Sequence, residues 1–167
     1  LVLEAQGRGL GLVPLWRHQI AAATLARFGA TTHQALTDKA ATGEALLSLA
    51  LDGLASATGV ALEARPEGGD FALYGQVPAL PMGMESAAAL LPAHTPDGLR
   101  LVLLRLDADG LDKVAGVLTH GEGIAGLHCR GVLISAADVL PATALPWLEQ
   151  RAIAALAALQ LGVSAEQ

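Results

Sequence analysis

The chain has 167 residues, of which 53% are hydrophobic and 16% are charged, and its mean hydropathy is +0.48. This composition predicts one domain, or one domain with helical flanks, and excludes intrinsic disorder, which requires low hydrophobicity and high charge. The net charge of −6, without a cluster of lysine or arginine, argues against nucleic acid or an anionic membrane surface as a partner.

A soluble, cytoplasmic protein is expected. The longest uncharged stretches, residues 71–84 and 152–165, are shorter than the roughly 18 residues that a membrane-spanning helix requires. The single cysteine, Cys129, excludes an internal disulfide and fits a reducing compartment. We expect Cys129 to be a small buried hydrophobe.

The first quarter of the chain predicts helices. Pro14 stands where a helix would begin and Gly29 just past its end, which is the usual asymmetry of helix termini. Thr31 and Gln34 have the spacing of a capping box, which predicts a second, short helix that stops at Gly43.

The middle of the chain predicts eight short strands. They are residues 46–51, 59–64, 71–75, 88–92, 99–106, 114–118, 126–129 and 132–135. The turn residues at 66–70 and 96–98 predict two hairpins. Since no helix separates the strands, the pattern favours an antiparallel barrel or sandwich over a parallel sheet.

From Pro146 the pattern predicts a long, alanine-rich helix that ends at Gly162 and is apolar on nearly every face. Such a helix needs packing partners, and the residues after it supply none. We therefore expect part of a helical domain to be missing from this sequence.

Local motifs by themselves predict no active site. The glycines of residues 121–126 match GxGxxG, but a strand follows them where a nucleotide site needs a helix. The five histidines share no metal-ligand spacing with one another or with Cys129, so no metal site is predicted. No serine lies in a GxSxG elbow.

Several segments, taken in order, carry a resemblance to a known family. They are residues 3–9 (LEAQGRG) with Pro14, 25–29 (LARFG) with Gln34, 41–44 (ATGE), 71–75 (FALYG), 101–110 and 131–138 (GVLISAAD). Their order and spacing resemble those of the acyl-CoA dehydrogenases.

The resemblance implies an α+β protein with N-terminal helices, an antiparallel β-barrel middle domain and the start of a C-terminal helical bundle. It divides the chain into residues 1–44, 45–143 and 144–167 for these three parts. It also implies a homo- or hetero-oligomer that binds FAD, dehydrogenates an acyl-CoA thioester at its α and β carbons, and is reoxidised by electron-transfer flavoprotein. The catalytic carboxylate of most members would lie in the missing C-terminal domain, so the resemblance assigns no catalytic residue to this chain.

The resemblance also implies cofactor contacts at five positions, which are Leu51, Asp52, Ser56, Leu80 and Pro81. Asp52 and Gly53 stand where the family has threonine and glutamate. Ala79 and Pro81 stand where it has an aromatic ring and a hydroxyl.

These departures leave three hypotheses open. The first is an acyl-CoA dehydrogenase-like flavoprotein, and the second is a degenerate, non-catalytic subunit of a heteromeric member of the family. The third is a small β-barrel without a redox role, which binds an apolar ligand at a mouth lined by Leu80, Met82 and Met84.

Overall fold

The computed structural model describes residues 2–11, 13, 15–55 and 59–166, with only the backbone described at Asp52. The α-helices in this part of the chain are α1 (Val2–Arg8), α2 (Leu15–Phe28), α3 (Gln34–Thr42), the single turn α4 (Asp52–Ala55) and α5 (Ala144–Ser164). The strands are β1 (Leu47–Leu49), β2 (Leu62–Glu67), β3 (Asp70–Pro81), β4 (Ala88–Thr95), β5 (Gly98–Arg105), β6 (Leu111–Val117) and β7 (Gly123–Ile134). Two 3₁₀ turns cover Thr31–His33 and Ala136–Asp138. The α+β class and the curled, barrel-like sheet between helices are confirmed.

The two helices expected in the first quarter are α2 and α3. Gly43 ends α3 in the left-handed conformation, with φ of 79°, as expected for a C-terminal glycine. The predicted capping box is wrong in detail, because the imidazole of His33 makes the capping contact. Its Nδ1 accepts a 3.0 Å hydrogen bond from the backbone N–H of Ala30. Pro14 lies outside the described residues.

The sheet is a curled half-barrel with the order β1-β4-β2-β3-β7-β6, and β5 pairs with the other edge of β4. Most neighbouring strands are antiparallel, as expected. Two short contacts are parallel. They are those of β1 and β2 with β4, and both lie along the same edge of β4. Leu47–Leu49 runs beside the start of β4, and Glu63 of β2 pairs with His94 near its end.

Both expected hairpins are present. Gly68 and Gly69 join β2 to β3 in a two-residue loop, with φ of 60° and 98°, and positive φ at both positions suits the right-handed twist of the strands. Pro96 and Asp97 join β4 to β5. The strand expected at 59–64 begins later, at Leu62, and the one expected at 71–75 continues to the end of β3.

The last two expected strands are one strand, β7, so the described sheet has seven strands. Between the pairs Leu73–Val132 and Tyr74–Arg130 the register shifts by one residue, Gly131, whose φ is 79°. The extra residue makes this a β-bulge. Glycine can occupy the position because it adopts a positive φ without a steric cost. What the sequence pattern indicated as a break is a bend in a continuous strand.

Two hydrophobic clusters share the β4–β5 hairpin. In β4, Ala88 and Leu90 face α2 and α5, whereas Ala89 and Leu91 face the inside of the half-barrel. Side chains alternate between the faces of a strand, so a strand buried on both faces needs a continuous apolar run. This is why the β4 segment contains no charged residue.

One face of α5 is packed by helices that precede it in the chain, a contact that the sequence pattern did not predict. Leu148 and Ala152 of α5 are buried with Trp16 and Ile20 of α2. On the same helix Ile153 remains exposed. Among the described helices, none combines the length and apolarity needed to cross a membrane.

Candidate functional site

Four of the five predicted cofactor contacts lie at neighbouring strand ends. Leu51 follows β1 and Asp52 begins α4, while Leu80 and Pro81 end β3. Ser56 lies outside the described residues. The Ser48 hydroxyl of β1 donates a hydrogen bond to the Pro81 carbonyl, and this contact fixes the two strand ends against each other.

Leu51 and Pro81 line a common cavity, which we call the interhelical cleft. It has a volume of about 400 Å³ and lies between α2, the end of β1 and α5. Its walls are formed by Trp16, Arg17, Leu49, Ala50, Leu51, Ala55, Pro81, Ala152 and Leu156. Apart from Arg17 and the indole N–H of Trp16, these side chains are apolar. The side chain of Leu80 is fully buried in the other cluster, inside the half-barrel, and is not part of this wall.

Arg17 is held at the cleft by an ion pair that sequence reasoning missed. Its guanidinium donates a 2.7 Å hydrogen bond to Glu122, and the two side chains are only 22% and 14% exposed. The same guanidinium lies 4.6 Å from the centre of the Trp16 ring. His120 is 3.3 Å from the other carboxylate oxygen of Glu122. No local pattern signals this cluster, because 105 residues separate Arg17 from Glu122.

A second cavity adjoins the interhelical cleft on the side of α1. It has a volume of about 460 Å³ and also includes Trp16 and Arg17 in its walls. Leu10, Leu159 and Val163 supply apolar surface, and Glu122 faces it from the β6–β7 connection. Trp16 and Arg17 therefore form a partition between two adjoining cavities.

A third cavity, of about 280 Å³, opens where α4 approaches β2 and β3. Its walls are Ala50, Gly53, Gly59, Val60, Ala61, Leu62, Gln76, Val77, Pro78, Leu91 and Pro92. Leu80, Met82 and Met84, the residues expected at a barrel mouth, are not among them. Met84 is exposed instead, in the turn after β3.

The end of β3 does not fit a flavin ring. Pro81 has no backbone N–H to donate, and its carbonyl already accepts from Ser48. Ala79 offers only a methyl group, and the Leu80 side chain is inaccessible. This segment presents no aromatic ring and no side-chain hydroxyl with which a flavin ring could stack or bond.

The described residues also offer no reactive thiol and no metal centre. Burial raises the pKa of the Cys129 thiol to about 11, so the thiol is protonated at neutral pH. Within the described ranges no group of three histidine, cysteine or carboxylate side chains could hold a metal ion. What the site offers is apolar binding surface beside one fixed guanidinium.

No family model and no curated protein matches this chain. Solved structures do match it. One is the ChsE4-ChsE5 complex from Mycobacterium tuberculosis, with a TM-score of 0.89 and 28% identity over 99% of this chain and 46% of that chain. Another is the G363A variant of the Tcur3481-Tcur3483 steroid ACAD, with a TM-score of 0.87 and 32% identity over 99% of this chain and 45% of that chain.

A third match is a glutaryl-CoA dehydrogenase from Mycobacterium smegmatis in complex with FADH2. Its TM-score is 0.78 with 20% identity, over 89% of this chain and 42% of that chain. The chain therefore spans less than half the length of each of these three structures.

Proposed function

This chain has the fold of the acyl-CoA dehydrogenases over nearly all its length, and we propose that it is part of an FAD-dependent protein of that type. The reaction is α,β-dehydrogenation of an acyl-CoA thioester, for which FAD supplies the hydride acceptor when bound. The observation that carries the proposal is the interhelical cleft, whose apolar walls suit an acyl group.

In this proposal the cleft binds the acyl group and keeps water away from it. Leu49 and Leu51 contribute one wall, and Ala152 and Leu156 contribute the other. Burying an acyl chain between them is favourable by roughly 25 cal/mol for each Å² of apolar surface removed from water. The Arg17–Glu122 pair holds the α2 side of the cleft in a fixed position.

We assign the flavin itself to another chain of a heteromeric assembly, so that this chain is its non-catalytic subunit. The proposal is supported by the end of β3, where the side chains of Ala79, Leu80 and Pro81 offer a flavin neither an aromatic ring nor a hydroxyl. It is also supported by two similar structures, each of which is described as a complex or pair of two named components. Electron-transfer flavoprotein is the proposed electron acceptor of the assembly, and the cytoplasm its location.

The acyl group proposed for this cleft is bulky, of the size of a steroid side chain with part of its ring system. One similar structure is described as a steroid ACAD. In this chain the second cavity adjoins the cleft across Trp16 and Arg17.

The deciding experiment is a visible absorption spectrum of the purified chain after incubation with FAD and removal of the excess. We expect no flavin absorption from this chain alone. When a homologous flavin-bearing chain is purified with it, we expect the complex to show flavin absorption that acyl-CoA reduces. If this chain alone retained FAD and acyl-CoA reduced it, the assignment of the flavin to another chain would be contradicted. That outcome would favour the original assignment of cofactor contacts to Leu51, Asp52, Ser56, Leu80 and Pro81.

Acyl binding is tested separately by isothermal titration with acyl-CoA in two variants of α5. Leu156→Asp places a charge in the cleft wall, and we expect at least about tenfold weaker binding. Ile153→Asp is the matched control, since Ile153 is on the same helix, is 68% exposed and does not line the cleft. Equal losses in both variants would contradict the location of the acyl site.

The cavity of about 280 Å³ favours a second candidate function, which is a binding module for an apolar ligand without a redox role. Val60 is half-buried in its wall. Val60→Phe is expected to weaken the binding of an apolar fluorescent probe if this cavity is the site. Full displacement of the probe by acyl-CoA would contradict this candidate.

A further inference from the structure

Two arginines from different helices converge on one tryptophan at the surface. The guanidinium carbon of Arg151 lies 3.5 Å from the centre of the Trp147 ring, and that of Arg27 lies 5.6 Å from it. Phe28 packs edge-on against the same indole, with ring centres 5.5 Å apart. We call Arg27, Phe28, Trp147 and Arg151 the arginine–tryptophan patch.

The charge at this patch is not balanced within the described chain. Five of the eight arginines bridge a carboxylate, and these are Arg8, Arg17, Arg65, Arg105 and Arg130. Arg27 and Arg151 are among the three that form no ion pair with a described residue. Both are exposed, in a protein whose net charge is −6. Two unpaired guanidiniums on one indole are thus a local positive site on an acidic protein.

The contacts with the indole restrain both guanidiniums before an anionic partner binds. A guanidinium over an aromatic face is held by its flat side, so its N–H edge remains free to bind a carboxylate with two hydrogen bonds. Arg151 is restrained further, because it donates a 3.3 Å hydrogen bond to the backbone carbonyl of Trp147. Side chains already ordered before binding lose less entropy when a partner arrives.

We propose that the arginine–tryptophan patch is a docking site for an acidic segment of a partner protein. Tryptophan and arginine dominate the binding energy of many protein interfaces, and carboxylates complement the two unpaired charges. Nucleic acid is disfavoured, because Arg151 already covers the indole face on which a base would stack. None of the four patch residues lines the interhelical cleft, so the patch does not depend on the proposed function.

The test is binding of a labelled, end-blocked hexaglutamate peptide to the full chain, measured by fluorescence anisotropy. We expect binding at low ionic strength that weakens at high ionic strength. The double variant Arg27→Gln and Arg151→Gln is expected to lose at least about tenfold in affinity. The double variant Arg105→Gln and Arg130→Gln removes the same charge elsewhere on the surface and is expected to bind like the unmodified chain.

Each other outcome overturns the proposal. Equal losses in the two double variants would mean that only net charge matters, and absence of hexaglutamate binding would mean that the patch is not a docking site. Displacement of the peptide by inorganic phosphate at similar concentration would indicate a small-anion site. Tighter binding of an oligothymidylate than of hexaglutamate would indicate nucleic acid instead.

Discussion

Gly7 and Gly162 allow α1 and α5 to pack backbone against backbone. A Cβ atom on Gly162 would lie 2.1 Å from the carbonyl oxygen of Glu4, and one on Gly7 would lie 2.3 Å from that of Leu159. No side chain fits in this space, so the closeness of the two helices depends on glycine at both positions. Their contact links the two ends of the chain that flank the sheet.

Gly162→Ala is therefore expected to destabilise the protein by about 1 to 3 kcal/mol, through overpacking against the α1 backbone. The sign of the change in stability is informative, because replacing glycine by alanine inside an exposed helix normally stabilises the helix. Chemical denaturation followed by circular dichroism measures the change. Gly9→Ala is the control, since its nearest non-neighbouring atom is 3.6 Å from the added Cβ, and an equal loss there would contradict the packing argument.

Glu122→Gln is expected to lower the free energy of unfolding by about 1 to 3 kcal/mol, because it removes a carboxylate charge that lies 2.7 Å from the largely buried Arg17 guanidinium. The same denaturation experiment measures it. Glu63→Gln is the control, since the Glu63–Arg65 pair is exposed to solvent and should contribute nothing measurable. Similar losses in the two variants would show that burial of the pair is unimportant.

His33 and Asp138 join the turn after α2 to the turn after β7, and we expect them to be energetically coupled. His33 is buried, its Nε2–H donates a 2.8 Å hydrogen bond to Asp138, and Asp138 also accepts from the backbone N–H of Ser135. A double-mutant cycle with alanine at both positions is expected to give a coupling of about 1 to 3 kcal/mol.

The exposed pair Gln34 and Asp38 serves as the reference for that cycle. Its side chains share a 2.8 Å hydrogen bond at the surface of α3. We expect a coupling of only a few tenths of a kcal/mol there. A His33–Asp138 coupling no larger than this would contradict the importance of the link between the two turns.

Cys129 is expected to resist thiol reagents at pH 8 in the folded protein and to react at once in denaturant. Burial raises the pKa of this thiol from its ordinary 9.0 to about 11, and the thiolate is the reactive form. Labelling with a chromogenic disulfide reagent measures it. Rapid, stoichiometric labelling of the native protein would contradict both the burial and the raised pKa.

The same shift predicts a dependence of stability on pH. Because the pKa of Cys129 is higher in the folded state, its contribution to stability is fully present below pH 9 and is lost as pH rises towards about 11. Cys129→Ala removes this contribution. We expect the unmodified protein to lose more stability than the variant between these pH values, as measured by denaturation at each pH.

Local chemistry made much of the fold predictable from the sequence. Gly29 and Gly43 mark the ends of α2 and α3, and Gly68-Gly69 marks the tight turn between β2 and β3. The same kind of signal misled at Gly131, where a positive φ produces a bulge within β7 and not a strand end. A glycine in the sequence indicates that the backbone changes direction there. It does not indicate whether hydrogen bonding to the neighbouring strand continues.

The candidate site was less predictable, because it combines residues that are distant in sequence. Leu51 and Pro81, two positions at which the resemblance implies cofactor contacts, line the interhelical cleft, and their role as cofactor contacts stays a prediction. The resemblance could not lead to Arg17 and Glu122, whose contact joins α2 to the β6–β7 connection. It also could not show that Leu80 points into the half-barrel, which the register of β3 decides.

The sequence by itself determined the order of helices and strands, the hairpins and the resemblance to a family. These follow from backbone preferences and hydrophobic periodicity within short windows. Only the tertiary structure decided that α1 covers α5 through Gly7 and Gly162, and that Arg27 and Arg151 share one indole. Such contacts depend on where separate elements meet in space, and that position is set by the packing of the whole core.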